Sequence, residues 1–146
     1  MMKALIQRVK QAQVEVEGKI IGKINQGILA FIGVEQNDFE VDADKLLKKI
    51  ISYRIFSDSD DKMNLSLQDI GGGLLLVSQF TLVANTKKGL RPSFSNAGSP
   101  ALSKELYLYM IEQAKLTPLT IQTGQFAADM QVSLINDGPV TFNLQS

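Results

Sequence analysis

The chain has 146 residues, of which 45% are hydrophobic and 21% charged, and its 15 basic and 15 acidic residues cancel to a formal net charge of zero. These proportions describe one globular domain, residues 1–146, long enough to bury roughly two-thirds of its unfolded surface, and they exclude the disordered and fibrous extremes. There is no Cys and no His, so disulfides, thiolate nucleophiles, imidazole bases and the common zinc sites are excluded, and any hydrolysis must use hydroxyls, carboxylates, amines, backbone amides or the substrate itself.

At the N-terminus, Gln7 and Arg8 interrupt the apolar run after Leu5-Ile6, which leaves no signal peptide, and the longest apolar stretch, "GILAFIGV" at 27–34, is too short for a membrane helix. A cytoplasmic protein without a membrane partner is expected. The zero net charge argues against a protein that coats nucleic acid such as DNA, while leaving room for a local basic patch.

Residues 3–9, 12–18 and 19–24 alternate as strands do, and Glu17-Gly18-Lys19 turns the last two into a hairpin. "GILAFIGV" follows as a strand covered on both faces. Asp38 then stands as an N-cap. Ala43, Leu46, Leu47, Ile50 and Ile51 recur at three- and four-residue spacing, the buried stripe of a helix over 39–53. The acidic "SDSDDK" after "RIF" lacks the glycine and the bidentate glutamate of a calcium loop and reads as a solvated turn. "GGG" at 71–73 has no following helix and no adjacent Lys-Ser/Thr pair, so it reads as a turn rather than a phosphate cradle.

"LLLVSQFTLVAN" at 74–85 reads as a buried strand whose middle carries Ser78, Gln79 and Thr81, groups that are costly to bury without partners. In a strand, Gln79 and Thr81 share one side and Ser78 sits with Phe80. The three either satisfy neighbouring backbone or form a pocket floor offering a hydroxyl, an amide and backbone N–H groups to an oxyanion. Lys87, Lys88 and Arg91 follow in a loop marked by Gly89 and Pro92; they are either solvated or able to hold phosphates. Ser99-Pro100 starts a second main helix with Leu102, Leu106, Tyr109 and Met110 on one face, and Thr117-Pro118 stops it. "LTIQTG", "DMQVSLIN" and "PVTFNL" return to strands, broken at Asn136-Asp137-Gly138-Pro139. The sum is an α+β domain of mostly antiparallel sheet with two main helices.

"SQFTLVA" at 78–84, "KGLRPSF" at 88–94 and "NDGPVT" at 136–141, supported by "ALIQRV", "DADKLLKKI", "KMNLS" and "ADMQVSLINDGPVT", closely resemble the D-aminoacyl-tRNA deacylase family over nearly the whole chain. The resemblance implies a barrel-like core and a homodimer that needs no cofactor or metal and hydrolyses the ester between a D-amino acid, or glycine, and the 3′ end of tRNA. It implies that Ser78, Gln79, Phe80 and Thr81 form the pocket for the ester and terminal adenosine. Gly138 and Pro139 would be joined by a cis bond and inserted into the neighbouring subunit's pocket. Arg8 would hold that loop, and Met130 would join the substrate-binding positions.

Enantiomers have the same apolar area and charge, so selection must come from fixed geometry around the α-carbon. Rigid backbone can exclude an L side chain; it cannot exclude glycine, which has none. Thr81 as nucleophile would need a base, and Asp69 and Asp129 have no evident geometry to serve. The alternative is assistance by the 2′-hydroxyl of the terminal ribose, with backbone N–H groups near Phe80 stabilising the oxyanion and Thr81 positioning it. The resemblance also assigns tRNA phosphates to Lys87, Lys88 and Arg91, although Asn85 and Leu90 replace residues that are commonly acidic and basic in the family. Two rival readings are a catalytically silent dimer that captures tRNA ends and a purely structural β-rich dimer.

Overall fold

The computed structural model describes residues 1–146. Strand β1 (Lys3–Val16) pairs antiparallel with β2 (Lys19–Ile24) through the two-residue turn Glu17-Gly18, whose φ angles of 50° and 78° give the left-handed geometry that suits a tight hairpin. The expected strands 3–9 and 12–18 are one element. Ala4 and Ile6 bury into one core and Val9, Ala12 and Val14 into a second, so the strand changes its buried face near Arg8 while keeping unbroken register with its other neighbour from Lys3 to Val9. Against β8 (Gln131–Gln145) its register shifts between Gln7 and Val9 and again between Val9 and Gln11, so the strand bends without ending.

The apolar β3 (Gly27–Gly33) is buried on both faces, as expected. Ile28, Ala30 and Ile32 face a large core beneath helices α1 (Glu40–Ser52) and α3 (Pro100–Ala114), while Leu29 joins Val9, Val14, Leu75 and Val77 in a smaller cluster. Helix α1 starts later than expected. Asp38 is not its cap: the carboxylate is buried and accepts from the Glu35 N–H at 2.7 Å, while Asp42 reaches back to the Phe39 N–H at 2.9 Å. The acidic segment lies between the short strands β4 (Phe56–Ser57) and β5 (Met63–Leu65), folded around Asp58, which accepts from the N–H groups of Asp60 and Lys62 and from the Asn64 amide. A third, single-turn helix, α2 (Leu67–Ile70), is capped by the Ser66 hydroxyl and ends at Gly71 in the left-handed conformation.

Strand β6 (Gly73–Ser78) lies parallel to β3 and to β7 (Thr120–Thr123). The sheet is therefore mixed, antiparallel around β1 and parallel around β6, because α1 and α3 serve as crossovers that return the chain in the same direction. Its edges β2 and β7 nearly meet. A Cβ on Gly22 would stand 2.5 Å from the Thr123 carbonyl oxygen, so a side chain there would force apart the seam of this almost closed barrel. On α3, Ser99 caps as expected; the buried residues are Ser103, Leu106, Tyr107, Met110, Ile111 and Ala114, while Leu102 and Tyr109 pack half-buried against the same core and the Tyr109 hydroxyl donates to the Asp44 carboxylate. No helix is long and apolar enough to cross a membrane.

Candidate active site

The 74–85 segment is not strand throughout. β6 ends at Ser78; Gln79 keeps one sheet bond, N–H to the Ile32 carbonyl at 2.8 Å, and Phe80–Val83 then wind into a 3-10 turn. The alternation that would have put Gln79 and Thr81 on one side does not apply. They meet nonetheless, because the turn folds Thr81 back and the Gln79 amide donates to its hydroxyl. The leading N–H groups of a 3-10 turn have no acceptor within it, and here they belong to Phe80 and Thr81.

This change of direction opens a cavity of about 690 Å³. Val77, Ser78, Gln79 and Phe80 form its floor; Phe94, Ala97, Gly98, Pro100 and Ser103 form one wall; Phe126 to Met130 and Val132 form the other. Phe80 and Phe94 pack with ring centroids 5.1 Å apart, aromatic faces of the kind on which a planar base can stack. Met130 lines the cavity and packs against Gly124, where an added Cβ would fall 2.7 Å from its sulfur. Thr81 is exposed and stands beside the cavity, outside its lining. Ala127 carries a Cβ in the left-handed region, φ 62°, a conformation uncommon outside glycine and asparagine and found at built sites. Behind the floor, the Tyr107 hydroxyl donates to the Leu76 carbonyl at 2.7 Å, and burial pushes its pKa up to about 12.

A second polar feature lies on β8. The Gly138-Pro139 bond is cis, as the resemblance implies, and both residues are exposed. Arg8 secures the approach: Nε donates to the Asp137 carbonyl at 2.9 Å and Nη1 to the Ile55 carbonyl at 2.7 Å. On the other side, Asn136 accepts from the Val140 N–H at 2.7 Å and donates to the Thr141 hydroxyl. Gly138 has φ 139°, and a Cβ there would meet Val140 Cγ2 at 2.7 Å and Arg8 Nη2 at 3.1 Å. None of Arg8, Gly138 and Pro139 lines this chain's own cavity.

The cations Lys87, Lys88 and Arg91 are all exposed on a loop pinched at its base by paired backbone bonds between Asn85 and Ser93. The Asn85 side chain accepts from the Lys87 N–H at 3.0 Å, a role that an aspartate would fill equally well. Leu90 is fully exposed at the tip. Phe94, at the foot of the loop, reaches the cavity.

Sequence reasoning assigned no role to Phe94, Ser103, Phe126, Ala127 or Val132, all of which line the cavity. Phe94 lay inside the quoted "KGLRPSF", and Ala127 directly precedes "ADMQVSLINDGPVT", so the motifs held part of the signal. Nothing in the sequence linked them to Ser78.

Residues 5–145 match the family described as D-Tyr-tRNA(Tyr) deacylase. The D-aminoacyl-tRNA deacylase of Pseudoalteromonas translucida is 64% identical over 143 residues, covering 98% of this chain and 99% of that protein. That of Pseudomonas fluorescens is 59% identical over 145 residues, 99% and 100% of the two chains. Among solved structures, the c-Myc DNA Unwinding Element Binding Protein aligns with a TM-score of 0.93 at 36% identity over 99% of this chain and 98% of that one. A probable eukaryotic D-amino acid tRNA deacylase, at 13% identity and a TM-score of 0.82 over 98% and 99% of the chains, shares the fold. With motifs, fold and near-complete coverage in agreement, the chain belongs to the D-Tyr-tRNA(Tyr) deacylase family.

Proposed function

We propose that this protein hydrolyses the ester of D-aminoacyl-tRNA, and of misplaced glycyl-tRNA, in the cytoplasm, working as a homodimer in which each copy's Gly138-Pro139 segment enters the other's cavity. The observation that carries this reading is the separation of two prepared features on one chain. The cavity presents Ser78, Gln79 and Phe80, whereas the segment fixed by Arg8 is exposed and lies outside that cavity. A second copy would bring the two together. Carbonyl oxygens at 137–139 would then accept from the substrate's ammonium, and the rigid backbone around them would occupy the space that an L side chain needs.

In the reaction, a water oxygen bonds to the acyl carbon, the bond to the ribose 3′-oxygen breaks, and that oxygen leaves with a proton. The chain has no imidazole or thiol to drive this. The Thr81 hydroxyl is bonded to the Gln79 amide, and an amide is not a base whichever way its ends are assigned. Thr81 is thus a positioning residue, the 2′-hydroxyl of the terminal ribose assists the attack, and the N–H groups of Phe80 and Thr81 stabilise the oxyanion. Lys87, Lys88 and Arg91 contact phosphates of the incoming tRNA.

Incubation with D-tyrosyl-tRNA and L-tyrosyl-tRNA tests the reading: cleavage of the D ester alone is expected. Protection without cleavage would instead mark a binder of tRNA ends, and indifference to both would leave only a structural protein. Thr81→Ala should lower the rate roughly tenfold, the scale of one hydrogen bond. A loss of several orders of magnitude with binding intact would reinstate Thr81 as the nucleophile, and full-rate cleavage of a substrate lacking the 2′-hydroxyl would remove that group from the mechanism.

A further inference from the structure

The projection on β8 is an excursion from the ladder. Gln7 pairs with Thr141 and Val9 with Asn136, so Asp137, Gly138, Pro139 and Val140 stand opposite Arg8 alone. Arg8 fills the gap from the β1 side, and Asn136 closes its neck. Pro139 carries no N–H, which makes the N–H of Val140 the first main-chain donor after the tip, and Asn136 Oδ1 accepts it at 2.7 Å. Only an oxygen can accept there, so the amide has one orientation, and its Nδ2 is left to donate to the Thr141 hydroxyl at 2.9 Å. The Gln7 amide donates to the same hydroxyl at 3.4 Å. One side chain thus ties together the two residues that flank the excursion, while Val140 is buried in the main core.

Resting on the deacylase reading, we propose that Asn136 is a positioning residue that fixes the direction of the carbonyls at 137–139 and thereby the preference for D over L esters. A selector made of main chain discriminates only as well as its atoms hold still, because enantiomers differ in the placement of one side chain and not in charge or area. Arg8 restrains the near side of the tip through the Asp137 carbonyl. The Asn136 clamp restrains the far side, where the chain leaves Pro139. With the clamp open, the tip moves about its remaining anchor and its carbonyls lose their aim at the substrate's ammonium. The space denied to an L side chain then becomes partly available.

The test measures kcat/KM on D-tyrosyl-tRNA and L-tyrosyl-tRNA for the wild type, Asn136→Ala, Asn136→Asp and Thr141→Val, with melting temperature and affinity for uncharged tRNA as controls. Asn136→Ala should lower kcat/KM on the D ester by about tenfold or more and shrink the D-to-L ratio by a similar factor, with uncharged tRNA bound as before. Asn136→Asp should stay within about threefold of the wild type, since its carboxylate accepts from both the Val140 N–H and the rotatable Thr141 hydroxyl. Thr141→Val removes only the second bond, on an exposed side chain, and should shift the ratio less in the same direction. It carries the test if Asn136→Ala does not fold. An unchanged D-to-L ratio, whether the two rates hold or fall together, overturns the proposal and leaves the deacylase reading standing. Failure of the wild type to cleave the D ester overturns both.

Discussion

Where β6 gives way to the 3-10 turn at Gln79, the chain leaves its sheet and opens a hollow; where β8 passes through Asp137 to Val140, it stays paired with β1 on both sides and stands out from the surface. The hollow is assembled from segments distant in sequence, and its lining is chiefly apolar, with Val77, Met130 and Val132 resting on the smaller core cluster and Phe126 on the larger one. The projection is local, held by one arginine and one asparagine. A concave site depends on the whole domain for its shape. A convex one can be fixed by a few charged or amide hydrogen bonds, and it is correspondingly open to single substitutions.

The sharpest way to break this contrast is Gly138→Ala. An added Cβ meets Val140 and Arg8 at a φ that L residues rarely adopt, so deacylation of D-tyrosyl-tRNA should fall by about 100-fold or more while the melting temperature moves only a few degrees. Retained activity would show that the projection is not part of the working site. Arg8→Ala comes next. It leaves the carbonyls of Asp137 and Ile55 without their charged donor, a loss of about 2–3 kcal/mol in urea unfolding, and Arg8→Lys should recover only part of it because lysine lacks the fork.

On the concave side, the raised pKa of Tyr107 gives a pH signature. The folded state favours the neutral phenol, so its contribution is fully present below the ordinary value of 10.0 and is lost as pH rises towards about 12. Stability should decline over that window by on the order of 2 kcal/mol more in the wild type than in Tyr107→Phe; parallel curves for the two would remove Tyr107 as the support of the floor. The smallest effects belong to the cationic loop. Removing Lys87 or Lys88 should weaken binding to different tRNAs about equally and flatten its salt dependence by up to about one unit per lysine.

Much of this was legible in the residues. The stripe on α1, the hairpin at Gly18 and the Ser99-Pro100 helix start are local rules obeyed locally. The end of β6 was not legible, because Gln-Phe-Thr-Leu alternates as well as any strand, and it is the three-dimensional setting at Gln79 that turns the chain. The burial of Tyr107, missing from the expected face of α3, has the same origin: the core offers its hydroxyl a carbonyl at Leu76, 31 residues away in the chain. The site was half readable. Ser78, Gln79, Phe80, Met130 and the Arg8 contact came from motifs, whereas the walls from Phe94 and Phe126 bring together parts of the chain that no local spacing connects.

The left-handed Ala127 has a consequence for the moment of encounter. Glycine would occupy that conformation more easily, by about 1–2 kcal/mol, yet it would also let the wall wander among many shapes when the hollow is empty. Alanine gives up a little native-state stability and keeps the mouth preorganised. An arriving ester then meets a surface already in its receiving shape, and less disorder has to be removed at the instant of capture.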